Sequence, residues 1–258
     1  MGFCRQLKLY GHLLIILKYS IWPKIPILQE VLWFFSSYLL NIPLCTSLKQ
    51  ANFLTMQTIL HNNDLSEDVK FSDVVAADCE MMGLQPKRDP LCLIQLYDGE
   101  GDCHLVQFID NKYNAPNLIK LLSSNKTFIF HYARHDLAAI KHDLNVMIKN
   151  VYCTKIASKI ARTYAQGHGY KDLVRELLNI DISKKQQSSD WSNPNLSKQQ
   201  IEYAATDVIY LHNIKTKLDE ILIRQNRESL AKACIAFLQH RVDLDLAGFE
   251  NDIFSHSS

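Results

Sequence analysis

Residues 74–84 read Val-Val-Ala-Ala-Asp-Cys-Glu-Met-Met-Gly-Leu, and the fold turns on how this stretch is read. The apolar run anchors a short buried strand that ends in two acids, Asp78 and Glu80. Side chains alternate along a strand, so both carboxylates point to one face. Carboxylates at the end of a buried strand are costly unless something positive neutralises them. A metal cation would do so. The plainer alternative is two solvated acids at a strand end, and the pattern D-x-E is short and common by itself.

Two later stretches supply further acids. Thr127-Phe-Ile-Phe-His131 reads as an apolar strand, and Ala133 to Leu144 as a helix with Asp136 in its first turn. The helix dipole favours an acid there, so a structural role competes with a chemical one. His131 and His135 could each be ordinary satisfied polar residues. Ser197 to Leu222 has helical periodicity, and Ser197 followed by Gln200 resembles a capped start. Tyr203 and Asp207 are four apart and share a helix face, while Ala204 and Ala205 permit close approach to a sheet. Each stretch alone fits a structural reading. Their conjunction, in this order, points to one site of hard oxygen ligands, which select magnesium or manganese. Two such ions about 3.5–4 Å apart can clamp the attacking and leaving oxygens of a phosphodiester.

The remaining pattern predicts strands near 57–60, 73–79, 91–97, 103–108, 127–131 and 151–153. Asp98-Gly-Glu-Gly-Asp102 is a hairpin signal between the third and fourth. Helices are expected near 116–123, 134–143, 154–164, 170–178 and 197–222. Three antiparallel strands followed by alternating helix and strand give an α/β fold, a mixed sheet with helices on both sides. A last amphipathic helix is expected over 228–239, with Leu230, Ala233, Cys234 and Phe237 on its apolar side. The acidic tail from Asp243 to Ser258 is expected to pack loosely.

The three acid-bearing stretches resemble the motifs of the ribonuclease D family, short 3′-5′ exonucleases of the DEDD superfamily with tyrosine in the third motif. Further segments share the resemblance: Gly83-Leu84 with Arg88 to Leu96, Thr154 to Ser158, Tyr170-Lys-Asp-Leu173, and Gln186 to Trp191. It covers roughly residues 56–256. It implies a ribonuclease-H-like mixed sheet of five to six strands. It also implies a two-metal-ion 3′-5′ exoribonuclease that releases nucleoside 5′-monophosphates from RNA with a free 3′ end. By the same resemblance, Asp78 would bridge two divalent cations, Mg²⁺ or Mn²⁺, and Glu80 and Asp207 would complete the site that activates water. Asp136 would hold the second cation, and Tyr203 would orient the attacking water. His131, Lys155, Gln187 and Trp191 are the candidate substrate contacts; Trp191 stacks on a base or plugs the core, with the core the stronger reading. His135 departs from the family pattern, where an aromatic residue such as Phe is expected.

Composition bounds the rest. The chain has 258 residues, 47% of them hydrophobic, which is enough for one catalytic domain with a full core. A net charge of +1 gives no global field for nucleic acid. Binding would use a local stripe, such as Lys155, Lys159 and Arg162, or Lys171, Lys184 and Lys185. Seven scattered cysteines without a CxxC pair argue against a zinc module or a disulfide framework, so a reducing cytoplasm is the expected compartment.

Residues 1–55 are apolar and aromatic, broken by Lys18, Lys24 and Glu30, with no clean run of about 18 apolar residues. They read as a leader, either untranslated sequence upstream of a start at Met56 or a membrane-associated segment. The exonuclease domain is expected over 56–223, with a C-terminal helix and tail over 224–258. That end is too short for further helical nucleic-acid-binding domains, which implies a preference for short or single-stranded ends. No protein partner is expected. The competing functions are a single-stranded DNA exonuclease of the same chemistry and a binding module that has lost catalysis.

Overall fold

A computed structural model of the chain describes residues 56–182, 189–249, 253–254 and 256. The leader, Lys184, Lys185 and Gln187 lie outside the described residues.

Six strands form one sheet: β1 (Thr58–Asn62), β2 (Val74–Met81), β3 (Leu91–Tyr97), β4 (Cys103–Gln107), β5 (Thr127–Phe130) and β6 (Asn150–Cys153). Their order is β1-β4-β3-β2-β5-β6. β2, β3 and β4 form the antiparallel set, and β1, β5 and β6 add parallel strands outside it. The hairpin from β3 to β4 turns where expected, with Gly99 at φ 92° and Gly101 at φ 69°, a region open to glycine without strain. β3 sits inside the sheet with both faces covered, so it is apolar almost throughout instead of alternating.

Alternation sorts the strand residues into two cores. Ala77, Cys79, Ile94, Leu96 and Val106 pack on one face with α1 (Pro116–Leu122), α2 (Arg134–Leu144) and the last helix, α8 (Leu238–Ala247). Ala76, Leu93 and Leu105 pack on the other face beneath α5 (Lys198–Ile209). A third cluster joins α3 (Thr154–Ala161), α4 (Tyr170–Leu178), α6 (Leu211–Arg224) and α7 (Glu228–Ala236).

Three expectations are corrected. The helix expected over 197–222 is two helices, broken at Tyr210, whose ψ is −4°. The break lets Ala204, Ala205 and Val208 cover the sheet while Ile214, Leu218 and Leu222 turn onto the third cluster. The helix expected over 228–239 is also two, and its buried side is Ala231, Ile235 and Leu238, with Leu230, Ala233 and Cys234 exposed. Both stripes have helical spacing, and only the packing partner selects between them. The tail expected to be loose from Asp243 continues α8 to Ala247. Its Asp245 accepts paired hydrogen bonds from Arg134 on α2 at 2.6 and 2.7 Å, and Val242 just before it is fully buried.

If α8 is part of the core, Val242→Ala should lower stability by about 2 kcal/mol, the sum of two lost methyl groups and the cavity they leave. Urea denaturation reads this directly, and an unchanged midpoint would show that α8 contributes nothing to the core.

Candidate active site

β2 and β5 pair only along Val74–Ala76 and Thr127–Ile129, and β5 ends at Phe130. β2 continues to Met81, paired with β3 alone. The opening is at the carboxyl end of β2 and β5, where β2 has an antiparallel neighbour on one side and a parallel one on the other. Such a change of strand direction leaves a crevice for ligands.

Asp78 and Glu80 lie in this unpaired half of β2, on the same face. α2 starts four residues after β5, which brings Asp136 to the crevice. Its Oδ1 accepts the Cys79 N–H at 3.1 Å, and its residue is only 5% exposed. α5 crosses the opposite side. Its start is fixed by the capping box foreseen from sequence, with Gln200 N–H donating to Ser197 Oγ and Ser197 N–H to Gln200 Oε1. Ala204 and Ala205 are buried against the sheet, so Asp207 reaches the strand acids. One carboxylate oxygen from each of Asp78, Glu80 and Asp207 lies within 4.8 Å of the others. Tyr203, one turn back, presents its hydroxyl to the Asp207 carboxylate and favours its charged form.

The electrostatics follow from crowding. Burial pushes Asp78 well above the usual carboxylate range, and the charges of Asp136, Asp207 and Glu80 push it further. Glu80 is pushed up to about 9 by burial, then by Asp207 and Asp136. Burial takes Asp136 to about 7 against hydrogen bonds from backbone N–H groups, its own and that of Cys79. It takes Asp207 to about 7 against the Tyr203 hydroxyl. Four carboxyls therefore resist joint ionisation, and a divalent cation among them would remove that resistance. The donors are all carboxylate oxygens, the hard set that suits Mg²⁺ or Mn²⁺.

The other candidates divide. His131 lies beside the site, its ring 5.7 Å from that of Tyr170. Its Nδ1 is 2.9 Å from Thr154 Oγ1, which donates to the Phe130 carbonyl, so His131 donates through Nδ1. Burial and the Lys155 charge lower its pKa to about 3, which keeps the ring neutral. Lys155 places its ammonium 3.9 Å from the centre of the Tyr132 ring, and Tyr132 is 40% exposed. Trp191 is 2% exposed and packs beneath α5, where no base can stack on it. Gln187 lies outside the described residues. Of the suggested basic stripe, Arg162 is buried and held by Glu176, Ser158 and Gly167, so it is no surface cation. His135 packs against Tyr132, at 5.2 Å between ring centres, and burial lowers its pKa.

Tyr170, in a segment that shares the family resemblance, has no site role expected from sequence. Its hydroxyl donates to the Thr206 carbonyl at 2.7 Å, and the charges of Asp207 and Asp78 reach it. A tyrosine at a helix start gives no signal of this; the contact is with a residue 36 positions away.

A family model described as 3′-5′ exonuclease matches residues 54–223. Among curated proteins, ribonuclease D of Xanthomonas oryzae pv. oryzae is 30% identical over 171 residues, 66% of this chain and 47% of the relative. Ribonuclease D of Gluconacetobacter diazotrophicus is 30% identical over 173 residues, 67% of this chain and 44% of the relative. The chain spans about half the length of these relatives. Among solved structures, Brucella melitensis NrnC bound to pGG is 47% identical with a TM-score of 0.74, covering 78% of this chain and 100% of that one. The same nuclease with bound Mg²⁺ is 45% identical with a TM-score of 0.73 and the same coverage. Escherichia coli RNase D, at 24% identity and a TM-score of 0.57 over 66% of this chain and 45% of that one, shares the fold. With its mixed six-stranded sheet and flanking helices, the chain belongs to the 3′-5′ exonuclease family and has the ribonuclease-H-like fold of its ribonuclease D and NrnC members.

Proposed function

We propose that this chain is a two-metal-ion 3′-5′ exoribonuclease that shortens RNA from its 3′ end and releases nucleoside 5′-monophosphates. The observation that carries this reading is the convergence of Asp78, Glu80 and Asp207 within 4.8 Å, beside the buried carboxylate of Asp136. These four residues would hold the cations. Bound there, two divalent cations would supply the positive charge that offsets charge growing on the phosphate and on the leaving 3′ oxygen.

The protein's own groups do the rest. Tyr203 keeps its proton, because burial and the charges of Asp207, Glu80 and Asp78 raise its phenol far above neutrality. Its hydroxyl, presented to Asp207, can accept from a water, which would orient that water toward the scissile phosphorus. The neutral His131 and the Lys155 ammonium flank the crevice and would contact substrate; Gln187 is a third candidate contact.

The substrate is best read as short or single-stranded RNA. The support is the NrnC structure bound to pGG, the whole of whose chain this one covers. The catalytic domain would be residues 56–223, with 224–258 packing on it. A cytoplasmic location fits the buried, unpaired thiols of Cys79, Cys92, Cys103 and Cys153. Among the described residues no helix is long and apolar enough to cross a membrane.

The test is a gel assay of the full chain on 5′-labelled single-stranded RNA and DNA, with Mn²⁺, Mg²⁺ or EDTA. A metal-dependent ladder should shrink from the 3′ end of RNA. Asp78→Ala should slow it at least about 10³-fold, the scale of several kcal/mol of lost charge stabilisation. Activity on DNA alone would move the reading to the deoxyribonuclease. Undiminished activity in Asp78→Ala would sink it.

The crowded acids also set a pH signature. Their folded pKa values lie above the ordinary carboxylate values of about 4. A group raised in this way favours folding below its unfolded pKa, and that contribution is lost as pH rises through the folded value. Metal-free protein should therefore lose stability from about pH 4, through the region near 7 set by Asp136 and Asp207, toward the region near 9 set by Glu80. Asp78→Asn should flatten this slope, and saturating Mn²⁺ should restore the lost stability at pH 7–8. Melting curves across pH that show no slope in metal-free wild type would contradict the crowding account.

A further inference from the structure

Gln95 stands in the middle of β3 with no exposed surface, and among the described residues neither its amide nitrogen nor its amide oxygen has a hydrogen-bond partner. Buried carboxamides are nearly always bonded, and an apolar side chain would fill this place without orphaned atoms. The rest of β3, Leu-Cys-Leu-Ile-Gln-Leu-Tyr, is otherwise almost wholly apolar.

The register gives the reason for a glutamine. Gln95 is the direct partner of Asp78 on β2, and on its other side it faces Leu105 on β4. Directly opposed residues project from the same face with Cβ atoms about 4.5–5.5 Å apart. The neighbours agree: Ile94 and Leu96 enter the core on one face, whereas Leu93 and Leu105 join Ala76 on the other, beneath α5. Gln95 therefore shares the Asp78 face. Two more orphaned polar atoms occupy this region. Gln107, on β4 and diagonal to Gln95, bonds the Asn193 carbonyl through Nε2 at 2.7 Å, and among the described residues its Oε1 has no partner. Trp191, packed in the same cluster, has no acceptor for its Nε1–H among the described residues.

We propose that Gln95 is a positioning residue for Asp78, donating a hydrogen bond from its buried amide to the Asp78 carboxylate when a cation is bound there. The amide oxygen then has the Trp191 Nε1–H, in the same cluster, as its donor. The amide is neutral over the whole pH range, so it can orient the carboxylate without adding charge to a site already crowded with it. This role rests on the reading of Asp78 as a cation ligand.

Gln95→Leu, in the full chain, separates positioning from packing. Metal-free Gln95→Leu should melt at or above the wild-type temperature, because the orphaned atoms are gone. Its Mn²⁺ affinity by calorimetry should fall about 10–100-fold, the usual effect of losing a partner of a metal ligand. Gln95→Met makes the same comparison should leucine pack badly. Gln107→Leu, one strand farther from Asp78, should change Mn²⁺ affinity less than about threefold, outside that range. Wild-type affinity in both Gln95 variants would overturn the proposal, and so would an equal loss in Gln107→Leu, which would mark general loosening of the layer. Wild-type protein that took up no Mn²⁺ would remove the cation site itself, and this role with it.

Discussion

β5 stops where β2 goes on, and the Asp136 carboxylate accepts the Cys79 N–H on the side that a longer β5 would have covered. That one bond ties the first turn of α2 to the open half of β2. It also satisfies a buried donor that would otherwise be left unpaired. The crevice beside β2 follows from the early end of β5. A β5 two residues longer would pair across this half of β2 and replace the Asp136 carboxylate as the partner of the Cys79 N–H.

The site is built against its own electrostatics. Burial raises all four acids, and the charges of their neighbours raise Asp78 and Glu80 further. A fold that only needed stability would place apolar groups here. The packing on both sides holds the arrangement in place: Ala204 and Ala205 let α5 approach, and Asp245 anchors α8 to α2 through Arg134. Stability gained in the two cores thus offsets strain concentrated at the crevice, a distribution expected of functional sites. Tyr203 and the partnerless Gln95 belong to the same pattern, since both place a polar group where an apolar one would pack more simply.

Much of this was legible in the sequence, for local reasons. The strands are short apolar runs bounded by turn residues, the β3–β4 hairpin carries Gly99 and Gly101, and Ser197 with Gln200 marks the start of α5. The spacing of Tyr203 and Asp207 put both on one face. What sequence could not show were contacts set by distant residues. The apolar periodicity runs straight through Tyr210 with no proline or glycine to mark the break between α5 and α6. Two stripes of α7 are equally apolar, and the packing partner chooses Ala231 and Ile235 over Leu230 and Cys234. Asp136 looked as much like a helix-dipole acid as a site residue, because its bond to Cys79 spans 57 positions. Arg162 looked like a surface cation, whereas Glu176 holds it in the interior.

If these four acids hold two cations side by side, crystals soaked in Mn²⁺ should give two anomalous diffraction peaks about 3.5–4 Å apart, among Asp78, Glu80, Asp207 and Asp136. A single peak there, or manganese bound only away from Asp78, would mean that the acids do not form a two-cation site.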